Sequence, residues 1–358
     1  MDQFVDHRAD PAAWARSLGI SEEAVALYLA SEVIDLHVDS FIWQRVLGRD
    51  VTKRHEPWFP IRGISLGHAD LPRLREAQIG GATWVITTNP LREGPDRIAT
   101  LVSNVTELVE TLGSAPADVA FAKTADEYAA ARAAGKHAAF LGIQGGNALD
   151  EDVTVLERLT PGLLLRVTLM HLSNSRLGST SAPLRLRLSD GLGARGWELV
   201  KLLDTHRIFV DLAHASPRTF WDAVGAHDPQ LPLAVTHTGV SGVHKHWRNL
   251  DDAQIRAVAS TGGVVGIMYH APYLGDWLLG GRLESIVRHL EHVQNVAGED
   301  TPALGSDWDG AIVTPRDMPT CLELPRLVQA MLDRGWRPEA VQKVLGLNFL
   351  RALRHLRG

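Results

Sequence analysis

Short apolar runs alternate with longer amphipathic stretches over most of the chain. The runs near 33–37, 82–87, 138–143, 163–169, 208–213, 232–236, 263–268 and 302–306 predict strands. Between them, apolar positions recur at helical spacing over 94–112, 124–134, 195–206, 217–225, 251–260, 282–296 and 323–334, and a last helical stretch covers 338–356. Ser216-Pro217 is a helix start, with serine as cap and proline at the first helical position. Repeated βα units imply a parallel sheet, and eight of them predict a closed (β/α)8 TIM barrel of the α/β class. Residues 1–30 read as an N-terminal helical extension and 31–358 as one barrel domain with C-terminal helices. Two segments, 40–72 and 172–194, break the alternation and predict long loops over the barrel mouth.

Composition narrows the function. With 358 residues, 45% hydrophobic and 22% charged, the chain can bury a large core. A net charge of -6 and the lack of a Lys/Arg-rich run argue against nucleic acid or an anionic membrane as partner, and favour a small molecule. The first residues have neither the basic start nor the apolar core of a signal peptide, so a cytoplasmic location is the expectation. Cys321 is the only cysteine, which excludes an intrachain disulfide and a thiolate metal site. Any metal must therefore use His, Asp, Glu or Gln.

Candidate chemistry arrives in phase with the strands. His37 and Asp39, two residues apart, point to one face of the first strand. Gln144, His171, His214, His237, Asp307 and Asp309 follow later strands. In a barrel those strand ends meet at one mouth, where active sites of this fold lie. Histidines and carboxylates without thiolate suit zinc or a similar dication. Such an ion brings the pKa of bound water to roughly 7, which makes hydrolysis the expected reaction class.

These residues carry a resemblance. Asp35-Leu36-His37-Val38-Asp39, Gly142-Ile143-Gln144-Gly145-Gly146, Asp211-Leu212-Ala213-His214, Thr236-His237-Thr238, Arg248-Asn249-Leu250-Asp251-Asp252 and Gly305-Ser306-Asp307-Trp308-Asp309-Gly310 resemble motifs of the membrane (renal) dipeptidase family, peptidase family M19, within the amidohydrolase superfamily. The resemblance implies a zinc dipeptidase that cleaves a dipeptide or similar small N-acyl amino acid by attack of metal-bound hydroxide, and a homodimer. It assigns His37 and Asp39 to one metal and His214 and His237 to a second. Asp307 would act as general base and then acid. His171 would contact the scissile carbonyl, and Arg248, with Asn249 beside it, would bind the substrate's terminal carboxylate. A salt bridge to Asp251 or Asp252 is the alternative partner for Arg248.

Two positions depart from the family pattern. Gln144 stands where the family has a glutamate that bridges both metals, and Asn147 where it usually has histidine. A glutamine offers one neutral oxygen and is a poor bridge. Losing that carboxylate leaves two dications with one uncompensated positive charge, whereas one dication facing Asp39 and Asp307 is neutral. One firmly bound zinc and a weakened second site are therefore expected. Three readings stay open: a hydrolase working with one metal, a catalytically impaired protein that only binds a small ligand, and a Glu→Gln substitution made to trap substrate.

Overall fold

The computed structural model describes residues 5–55, 63–64, 66–89, 95–159, 162–183, 191–277 and 281–358. Among the described residues, nine strands form one sheet: β1 (Ile34–Val38), β2 (Gly81–Thr87), β3 (Val119–Phe121), β4 (His137–Gln144), β5 (Leu164–Thr168), β6 (Phe209–Asp211), β7 (Ala234–Thr238), β8 (Val264–Ile267) and β9 (Pro302–Leu304). All pairings are parallel, in the order β1-β2-β4-β5-β6-β7-β8-β9. Closure comes just past β9: Asp39 N donates to Trp308 O at 2.8 Å and Asp307 N to His37 O at 3.1 Å. The result is a nearly closed (β/α)8 barrel, in agreement with the eight predicted strands.

β3 is the unforeseen strand. It pairs only with β4, outside the barrel path, and three residues are too few for a periodic signal. Helices Pro95–Gly113, Ala125–Ala133, Ala194–Thr205, Pro217–Ala226, Asp252–Ser260, Glu284–Ala297 and Pro325–Asp333 lie where the sequence put them. The Ser216 hydroxyl accepts from Thr219 N at 3.1 Å, the predicted cap. Helices Pro11–Leu18 and Glu22–Leu29 precede β1, and their Trp14, Val25 and Tyr28 join the main core. Within 40–72 the chain forms helices Phe41–Leu47 and Leu71–Glu76 where an irregular loop was expected, and residues 56–62 and 65 lie outside the described residues. Of the second expected loop, 184–190 lie outside them, as do residues 1–4 of the N-terminal extension and residue 94 at the predicted helix start.

The barrel interior has two layers. Phe349, from the C-terminal helix, packs on Phe140 of β4 and Phe209 of β6 with ring centroids 5.4 and 6.0 Å away. Residues two apart on a strand share a face, so Gly142 and Gln144 stand above Phe140, and Asp211 above Phe209. The upper layer is polar: His37, Gln144, Arg166, Thr168, Asp211 and Thr236 are all buried.

Candidate active site

A cavity of about 340 Å³ opens at the C-terminal ends of the strands, lined among others by Asp39, Gln144, His171, His214, Arg248 and Asp307, with Trp43, Trp247, Met268 and Tyr273 on its walls. His37 and His237 are fully buried beneath it. The structure thus brings together every predicted site residue except Asn249, which does not line the cavity. The Asn249 amide donates to His244 O at 2.9 Å and Tyr273 O at 2.8 Å, so it ties two loops together.

Backbone strain marks the site. His214 and Asp307 are non-glycine residues with φ of +64° and +63°. Such conformations persist where surroundings impose them. The His214 carbonyl accepts from Ser181 N at 2.8 Å and from the Thr180 hydroxyl at 3.1 Å, which holds that turn. Gly145, at φ +93°, must be glycine, because a Cβ there would stand 2.2 Å from Thr88 Oγ1. The same Thr88 hydroxyl is 2.7 Å from Asn147 Oδ1, so the Asn147 side chain braces the turn after β4.

The two sides of the cavity floor differ. On one, His37 Nε2 is 3.5 Å from Asp39 Oδ2 and 3.7 Å from Asp307 Oδ1. Thr87 donates to Asp39 Oδ1 at 2.5 Å and the Gln144 amide to Asp39 Oδ2 at 3.1 Å. On the other, the Nε2 atoms of His214 and His237 are 2.8 Å apart, and His214 Nδ1 has no partner. Burial, reinforced by Arg248 and the neighbouring histidines, holds both rings well below the usual imidazole pKa, so both are neutral and able to ligate. His37, His237 and Asp307 offer ligand atoms within 4.8 Å of one another.

Burial, and then the Asp39 carboxylate, push Asp307 well above the usual carboxylate pKa. Arg248 is buried, donates to His237 O at 2.6 Å and has a partnerless Nε. Burial lowers its pKa to about 10, which leaves it charged at neutral pH. The alternative salt bridges are not formed: Asp251 caps helix Asp252–Ser260, and Asp252 pairs with His292 at 2.7 Å. His171, with its pKa lowered by burial to about 4, presents a buried, partnerless Nδ1.

Sequence reasoning missed Arg166, Asp211, Thr87 and Thr236. An arginine within the apolar run of β5 was the available signal.

The sequence matches the family model for membrane dipeptidase (peptidase family M19) over residues 21–357. The chain belongs to this family. An amidohydrolase from Pseudomonas aeruginosa has the same fold, with a TM-score of 0.75, 22% identity, and 93% of this chain and 98% of that one covered. A metallopeptidase from Rhodobacter sphaeroides, solved with a phosphinate mimic of the dipeptide L-Ala-D-Ala, superposes with a TM-score of 0.80 at 22% identity, covering 91% of this chain and 99% of that one. A Klebsiella pneumoniae protein, named as an uncharacterized protein in the pqqA 5′ region, is 36% identical over 169 residues, which are 46% of this chain. The chain spans 61% of that curated relative's length. Among the described residues, no helix is long and apolar enough to cross a membrane.

The donors on the His214–His237 side fit the dication this family implies. They are two neutral imidazoles whose Nε2 atoms converge, and His237 also lies within 4.8 Å of the Asp307 carboxylate and of His37; with no thiolate, such donors suit zinc.

Proposed function

We propose that this M19 chain is a metal-dependent hydrolase of a dipeptide or similar small N-acyl amino acid, working with one firmly bound zinc. The observation that carries the reading is Arg248: a buried, charged guanidinium with a partnerless Nε on the wall of the same cavity as His214 and Asp307. A cation held this way suits a substrate with a free carboxylate, and the cavity volume suits a dipeptide. A bound dication supplies Lewis-acid polarisation and activation of water at neutral pH. Asp307, with its raised pKa, takes the proton of the attacking water and returns it to the departing amine. His171 offers Nδ1 as a polar contact for the scissile carbonyl. Arg248 fixes the far end of the substrate and so the position of its amide.

A second reading, ligand binding without turnover, is favoured by one observation: the Gln144 amide is engaged with Asp39 where the family glutamate would bridge metals. The test is amino-acid release from a panel of L,L and L,D dipeptides by the zinc-loaded protein. Turnover supports the hydrolase. No turnover, with activity appearing in Gln144→Glu, overturns it in favour of the binding protein.

A further inference from the structure

Arg166 is a charged residue inside the barrel that the proposed chemistry does not use. It lies on β5, is buried and does not line the cavity. Its Nη2 is 2.6 Å from His37 Nδ1, and its Nη1 donates to Asp211 Oδ2 at 3.0 Å and also to the Thr168 hydroxyl. A guanidinium has donors only, so His37 Nδ1 must accept. The neutral His37 ring then carries its proton on Nε2, the atom aimed at Asp39 and Asp307. A protonated Nε2 has no lone pair for a cation.

Asp211 is the hub for the opposite arrangement across the floor. Thr236 Oγ1 gives its single proton to Asp211 Oδ2 at 2.7 Å. It can therefore only accept from His237 Nδ1, 3.0 Å away. His237 is thus protonated on Nδ1, and its Nε2 lone pair accepts from His214 Nε2 at 2.8 Å; His214 Nδ1 has no partner, so that ring, unlike His37, is free to move its proton to Nδ1 and turn its own Nε2 lone pair to a cation.

Asp39 accepts from Thr87 on one oxygen and from Gln144 on the other, which fixes its orientation and leaves each oxygen one further lone pair. The amide orientation follows from the network, because the reverse would set Gln144 Oε1 against a carboxylate. Room for Arg166 is built in: a Cβ on Gly142, its cross-strand neighbour, would stand 3.0 Å from Arg166 Cγ and Nε.

We infer that Arg166 is a fixed internal cation in place of one metal of a two-metal centre, so that the single ion sits at His214 and His237 while the His37 Nε2–H faces the Asp39 and Asp307 carboxylates at 3.5 and 3.7 Å without ligating. The inference rests on the metal-dependent reading above, and it moves the ion away from the His37–Asp39 pair that the sequence first suggested. The test is zinc content per folded chain after equilibration with excess zinc and removal of free ion, with circular dichroism as the check on folding. One ion is expected in the wild type, in His37→Ala with affinity weakened by about tenfold or less, in Arg166→Lys and in Gln144→Glu. None is expected in His237→Ala, and two in the double variant Arg166→Met/Gln144→Glu. Two ions in the wild type or in Gln144→Glu, or loss of the ion in His37→Ala, would overturn the inference and leave the hydrolase reading standing. A folded wild type without zinc would overturn the metal-dependent reading and this inference with it. If the double variant does not fold, His37→Ala and Gln144→Glu decide the matter.

Discussion

The β1 side and the β6–β7 side of the cavity floor hold similar ligand types and do opposite things with them. On the β1 side, His37 and Asp39 are fully buried, and protein donors already bond to His37 Nδ1 and both Asp39 oxygens. On the other side, His214 and His237 turn their Nε2 atoms toward each other. Residue type and convergence do not by themselves make a metal ligand. What stands behind the remote nitrogen decides which lone pair remains.

The largest effect expected on this contrast is at Asp307, which faces both sides. Asp307→Asn keeps the shape and removes the proton carrier, and should lower kcat by about 10²–10⁴-fold with zinc content unchanged. A loss of zinc in parallel would instead make Asp307 chiefly a ligand. Arg248→Met should act differently. Truncating a buried charge that binds the substrate carboxylate costs about 2–5 kcal/mol, read as a KM raised by more than tenfold for dipeptides. Amides lacking the terminal carboxylate should lose much less, and equal losses for both would remove Arg248 from substrate binding.

His137 separates burial from ligation. It begins β4 at the far end of the barrel, and both its nitrogens have partners: Nδ1 donates to Ile79 O at 2.9 Å and Nε2 accepts from Trp84 Nε1 at 3.2 Å. Burial lowers its pKa to about 4, so neutrality alone does not distinguish His237. The folded pKa lies below the unfolded value of about 6.5, so on acidification the unfolded state takes up the proton first and stability falls between those values. The unfolding free energy of the wild type should therefore drop relative to that of His137→Gln by about 3 kcal/mol from pH 7 to pH 4, read from denaturant melts. Zinc content at pH 7 should not change. A constant difference across that range would mean that His137 is not held neutral.

The barrel was legible because its strands are short apolar runs and its helices carry a clear period, with a cap such as Ser216 to mark a start. The ligand types were legible because they fall at strand ends. The polar network beneath them was not. Arg166 reaches His37 across the barrel from β5, and Asp211 joins Arg166 to Thr236, contacts that exist only once the sheet has closed. Asn249 failed as a cavity residue for a similar reason. Its neighbour Arg248 points inward, and its own amide meets the carbonyls of His244 and Tyr273. Sequence adjacency carries no information about that reversal.

The smallest effect, and the sharpest, is at Thr236. Its hydroxyl links Asp211 to His237 Nδ1 and does not touch the cavity. Thr236→Val keeps the volume and removes the proton that fixes the direction of the relay. Outer partners of metal-binding histidines typically contribute about 10–100-fold in metal affinity, so zinc should bind weaker by that factor. At saturating zinc, kcat should stay near the wild-type value, because the tautomer is then imposed by the ion. Thr236→Ser, which restores a hydroxyl, should recover the affinity, whereas a general packing defect would not be rescued by the smaller side chain. Unchanged affinity in Thr236→Val would mean that His237 holds its ligating tautomer without Asp211, and the two sides of the floor would differ only through Arg166.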